Sequence, residues 1–151
     1  MQRSRTYQKS LATPFVYTAV FVFYISLSSI YLFLPPMFGV LFLLFSRAVD
    51  EMDSVLISLV VFCLLLFEAE KGYVLFTSII YFIVLYKFVI PKIQQSLSCV
   101  SCVKFLSVVI VYVGFYFFTL LLSSIFMLPI PNITYYIVYY IVVEYFITSI
   151  L

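Results

Sequence analysis

Histidine and tryptophan are absent from this 151-residue chain, glycine occurs three times, and charged residues make up 9%. Without imidazole, histidine-ligated zinc, histidine-ligated haem and serine–histidine catalysis are excluded. Without tryptophan, anchoring at a membrane–water interface falls to tyrosine, of which there are 14. No glycine-rich phosphate loop, nucleotide motif or internal repeat is visible. Gly39 and Gly114 are too isolated to form a GxxxG dimer face. What fills the chain instead is apolar: 66% hydrophobic residues and a mean hydropathy of +1.26. No water-soluble core of this size has such a composition.

Six apolar stretches run almost end to end, which predicts an all-α, polytopic transmembrane helical bundle. The first spans Leu11 to Leu34 and follows a basic N-terminus. It is too long for a signal-peptide core and lacks a small-residue cleavage pattern, so it reads as a retained helix. Pro35 and Pro36 stop it and can open the next helix. The second stretch, Met37 to Phe45, ends in a charged turn carrying Arg47, Asp50, Glu51 and Asp53. The third, Val55 to Phe67, ends at Glu68, Ala69, Glu70, Lys71 and Gly72, the glycine standing as a terminator. The fourth runs from Tyr73 to Ile90, with Pro91 ending it, and a polar stretch from Lys92 to Lys104 follows. The fifth covers Phe105 to Leu128. A turn containing Pro131 and Asn132 leads into the sixth, Ile133 to Leu151. Segments two and three are short. From Val55 to Phe67 a helix rises roughly 20 Å against a ~30 Å hydrocarbon core. Crossing with the help of flanking turns is favoured over a re-entrant hairpin. No connection is long enough for a soluble domain, so residues 1–151 form a single transmembrane domain.

Charge sets the orientation. With the N-terminus in the cytoplasm, Arg3, Arg5, Lys9, Arg47, Lys87, Lys92 and Lys104 fall on or near the inner side, and only Lys71 falls outside. Basic residues are retained on the cytoplasmic face. Both termini are therefore expected to be cytoplasmic. Five crossings would put the Lys92–Lys104 stretch outside.

Glu144 is the sharpest polar signal. It lies in the sixth segment, roughly 16 Å from the outer end by helical rise. An ionisable group at that depth normally faces protein and is a functional candidate. Tyr136, Tyr140, Glu144 and Thr148 recur every four residues and share one helix face. This polar stripe suits a proton or cation site or a partner-binding face. A hydrogen bond or ion pair that orients the helices is the plainer reading. Lys87 lies at a similar depth and is a candidate partner for Glu144, unless it snorkels to the interface. A tyrosine hydroxyl is the other candidate.

Glu68, Glu70 and Lys71 form the only charged outer turn, which reads as a solvated helix cap. The Arg47–Asp53 turn is acidic on an expected cytoplasmic face and reads as solvated charge, with Arg47 and Glu51 placed to pair if helical. Cys99 and Cys102 form a C-x-x-C, but Cys63 is intramembrane and a zinc site needs four ligands. No thioredoxin-like unit surrounds the pair, so the two cysteines are expected to be dispensable. No metal or cofactor is implied. Asn132–Thr134 matches a glycosylation sequon, pressed too close to the membrane to serve as one.

The order of these features resembles the MreD family, the small membrane subunit of the bacterial rod-shape elongation machinery. In that family the second helix opens on proline after a short outer turn, as at Pro35-Pro36-Met37. The third ends in an acid and soon after a glycine, followed by a leucine-bearing apolar helix, as at Leu66 to Gly72 and then Tyr73-Val74-Leu75. The resemblance covers roughly Pro35 to Lys92; the family usually has aspartate and more glycine near that turn. It implies a non-enzymatic scaffold in the bacterial inner membrane that determines rod shape. Such a scaffold binds an MreC-like protein and, through it, lateral-wall synthesis enzymes. The family's fold is similar to the substrate-binding subunits of vitamin transporters. A vitamin-like, small-molecule-binding membrane subunit is therefore the rival, ahead of a small channel or holin. A membrane enzyme comes last, because no catalytic constellation is present.

Overall fold

The computed structural model describes residues 3–31, 33–130 and 135–150. The Asn132–Thr134 sequon and Pro131 lie outside the described residues. Among the described residues the fold has six helices: α1 (Arg3–Ile30), α2 (Phe38–Asp50), α3 (Ser54–Lys71), α4 (Thr77–Ser96), α5 (Val100–Phe126) and α6 (Tyr136–Ile150). No strand occurs among the described residues. The chain is a helical membrane bundle in which α1, α4 and α5 are long and apolar enough to cross a bilayer. The helix α6 is apolar but shorter.

The helix α2 is the centre. Phe38, Gly39, Val40, Leu41, Phe42, Phe45 and Ala48 are all buried. Its neighbours are α3, α5 and α6. Phe38 packs with Phe82 of α4 and Phe115 of α5, ring centroids 4.9 and 4.7 Å apart, and Phe42 packs with Phe82 at 5.2 Å. Rings of this size and spacing add tilted and edge-to-face attraction to burial. By contrast α1 is peripheral. Phe15, Tyr17, Val20 and Phe23 are exposed, the surface expected of a helix facing lipid, while Ile25 and Ser28 turn inward.

Several boundaries differ from the hydropathy reading. The third helix does not stop at Phe67 but includes Glu68 to Lys71, ending at Gly72 with φ 70°. Eighteen residues rise about 27 Å, much closer to the bilayer thickness than the apolar run alone. The fourth helix starts at Thr77, not Tyr73, and passes through Pro91 to Ser96. A wider π turn over Leu85–Val89 precedes the proline, with the Ile90 N–H bonded to the Leu85 carbonyl. Proline normally clashes with the carbonyl four residues back, here that of Lys87 inside the widened turn, so the helix continues. The polar stretch Lys92–Lys104 is thus largely helical, with only Leu97 to Cys99 between α4 and α5.

The helices alternate in direction. Ser29 near the end of α1 donates to Glu70 near the end of α3 (2.7 Å). At the opposite end, Tyr86 donates to Asp50 at the end of α2 (2.6 Å), and Phe105 packs on Tyr145 (5.1 Å). The first is called here the Lys71 end and the second the Lys104 end. At the Lys104 end, Arg47 pairs with Glu51 at 2.8 Å. Asp53 caps α3 by accepting from Val55 N and Leu56 N. Both Arg47 and Asp50 belong to α2 rather than to a turn. An exposed ion pair of this kind adds little to stability, because water screens it.

Candidate functional site: two buried carboxylates and a tyrosine-walled cavity

The first turn of a helix leaves N–H groups without partners, and a helix usually supplies its own N-cap side chain. Neither α2 nor α4 does. Each follows a left-handed residue, Met37 (φ 51°) or Phe76 (φ 71°), whose side chain makes no cap bond. A carboxylate from elsewhere takes the role. Glu144 of α6 accepts from Gly39 N at 2.7 Å, with the amides of Phe38 and Val40 beside it. Glu68 of α3 accepts from Phe76 N at 2.7 Å and from Ser78 N. Both carboxylate residues are fully buried. The partial positive charge of a helix N-terminus suits a buried anion.

Glu144 also accepts a short hydrogen bond from the Tyr112 hydroxyl of α5. It is not paired with Lys87, which is exposed in the π turn of α4. Equal depth placed the two at one level, but the Lys87 side chain is exposed while Glu144 is buried. The expectation of a lysine partner is therefore corrected, and the tyrosine hydroxyl is the partner found. Gly39 is required at this contact, because a Cβ there would collide with the Glu144 carboxylate.

Glu68 is also a correction. It is no solvated cap: it sits inside the protein and fixes the start of α4. Of its outer-turn companions, Glu70 is exposed and bonded to Ser29, and Lys71 is exposed with no ion pair among the described residues. The stripe on α6 divides in two. Glu144 and Thr148 are buried, and Thr148 donates to the Tyr145 carbonyl at 3.0 Å. Tyr140 is half-buried and Tyr136 lies at the edge. These two rings stack with centroids 6.3 Å apart.

Tyr136 and Tyr140 line a cavity of about 290 Å³ at the Lys71 end. Its floor is aromatic, with Phe38, Phe67 and Phe115. Tyr112 lines it too, so Glu144 stands directly behind its wall. A second cavity of about 330 Å³ shares Lys71, Tyr73 and Thr119 with the first. Sequence reasoning missed Tyr112, Tyr116 and Tyr73. Only Tyr112 carried a signal, as a polar group deep in the apolar α5 that would need a partner.

Cys99 and Cys102 are exposed at the first turn of α5, while Cys63 is buried elsewhere. Among the described residues no three metal-ligating side chains converge. No family model, curated protein or solved structure matches the chain.

Proposed function

We propose that the protein is a non-enzymatic scaffold in the bacterial inner membrane, serving the lateral wall-synthesis machinery and rod shape. The observation that carries this reading is the turn from Glu68 to Gly72. The acid and the glycine behind the MreD resemblance are the residues that shape the fold there. Glu68 holds the first turn of α4, and Gly72 takes the left-handed conformation that ends α3. Pro35 likewise serves the fold, its carbonyl accepting from Tyr24 at 2.8 Å. In this reading all six helices cross, both termini are cytoplasmic, and the Lys71 end faces outward. Partners are an MreC-like protein and, through it, wall-building enzymes. The test is purification from native membranes under mild crosslinking. Wall-synthesis proteins should be recovered in fixed proportion, and depletion of the protein should round the cells. Recovery of the protein alone, with cell shape unaffected by its loss, defeats the scaffold.

A second reading has its own observation. The cavity of about 290 Å³ at the Lys71 end approaches the size of small-molecule sites, which are usually apolar with a few placed polar groups. It favours a vitamin-like, small-molecule-binding subunit of a transporter. In that case a small molecule should remain bound through purification.

A further inference from the structure

The polar groups around the cavity are unevenly matched. The nearby carboxylates do not line it, and each accepts hydrogen bonds elsewhere. Glu68 holds the start of α4, Glu70 accepts from Ser29, and Glu144 accepts from Gly39 and Tyr112. Ser28 and Thr119 donate to main-chain carbonyls, of Leu34 and Tyr116. The donors left over are the Lys71 ammonium and the hydroxyls of Tyr73, Tyr116 and Tyr136, which make no hydrogen bond among the described residues. Lys71, the last residue of α3, borders both cavities. Lys71 is the one charged side chain among the described lining residues, and an ammonium with phenol hydroxyls beside it can pair with and donate to an anionic group placed against them. The walls between these donors are ring faces. Tyr73 meets Phe115 edge to face at 5.5 Å and tilts against Phe67 at 6.2 Å. Such surfaces favour a flat aromatic body.

We propose that this cavity binds a small organic anion bearing an aromatic ring, its charge at Lys71 and its ring on the floor beside Tyr73 and Phe115. The proposal rests on the small-molecule reading and names the chemistry of its ligand. Phenol donors supply directional hydrogen bonds to a carboxylate, and the lysine supplies the charge. The aliphatic and neutral counterparts of such a ligand forfeit one or the other.

The full chain in phosphatidylcholine nanodiscs, which contain no anionic lipid, provides the test. Binding of 2-naphthoate is measured by equilibrium dialysis against empty nanodiscs. One saturable site is expected, with affinity at least tenfold lower for 2-naphthamide and for cyclohexanecarboxylate. K71M should weaken naphthoate at least tenfold and Y116F two- to fivefold, while K87M matches the parent chain. Failure of naphthoate to bind, or binding indifferent to K71M, overturns the proposal. Native mass spectrometry of protein from its own membranes separates this failure from that of the underlying reading. A neutral or cationic molecule bound there would overturn the anion while sustaining small-molecule binding. An empty protein together with no naphthoate binding would defeat both.

Discussion

Glu144 Oε2 accepts a 2.7 Å hydrogen bond from the backbone N–H of Gly39, joining the middle of α6 to the first turn of α2 across 105 residues. The carboxylate is a cap supplied from the far end of the sequence. Its removal leaves a buried amide and the Tyr112 hydroxyl without an acceptor. Glu144→Leu should therefore cost about 2–4 kcal/mol, and Glu144→Gln, which keeps a carbonyl, about 1 kcal/mol. Lys87→Met should stay within about 0.5 kcal/mol. Thermal unfolding of the detergent-purified variants checks the order; equal melting of Glu144→Leu and Lys87→Met contradicts it.

Glu68 and Glu70 are two residues apart but differ in environment. Glu68→Ala strips the start of α4 of its acceptor and should cost about 2 kcal/mol. Glu70→Ala loses one exposed bond to Ser29 and should cost less than about 0.5 kcal/mol. Limited proteolysis at the 72–76 turn should accelerate only in the first variant.

Gly114 packs under the Tyr81 hydroxyl, which donates to the Ile110 carbonyl at 2.8 Å. A methyl at position 114 would overlap that hydroxyl. Gly114→Ala should destabilise by about 1–3 kcal/mol. Adding Tyr81→Phe should recover part of that loss, since the colliding oxygen is gone. A double variant no better than the sum of its singles contradicts the contact.

Cys99 stands at the N-cap of α5, and its thiol is held below its ordinary value by hydrogen bonds from the Cys102 side chain and amide. At neutral pH it should be alkylated by iodoacetamide before Cys102, with buried Cys63 left unmodified. The preference should shrink as pH rises and thiolate becomes abundant at both exposed positions. Mass-spectrometric mapping of the label over a pH series reads this directly. Replacing both exposed cysteines with serine should leave the folded yield unchanged.

Reporter fusions test the sidedness. Fusions at Leu151 and at Ser98 should both read cytoplasmic, from the seven-to-one basic asymmetry of the eight lysines and arginines. An external signal from either overturns the orientation.

Glu144 was legible in the sequence because a carboxylate in an apolar helix has few tolerable environments. Its partner was not, because charge suggested a countercharge, while the fold offered a helix N-terminus and a phenol. Depth along two helices says nothing about which way each is rotated. Glu68 was misread for a local reason. Beside Glu70, Lys71 and Gly72 it looks like part of a wet turn, and its burial depends on α4 beginning only at Thr77. Pro91 marked a stop by its chemistry, and the π turn before it removed the clash behind that inference. The cavity had no sequence signature, since its walls come from every helix but α4 and from two turns, which no periodicity connects.

A cap donated from position 144 also constrains how the protein is made. Synthesis runs from the N-terminus, so α2 is complete while α6 has yet to be translated. Until then the Gly39 amide lacks its native acceptor, and the central helix of the bundle is held at one end only. The later-made α6 thus locks α2 in place, and a chain cut short before Glu144 carries an unfinished centre for quality-control proteases to recognise.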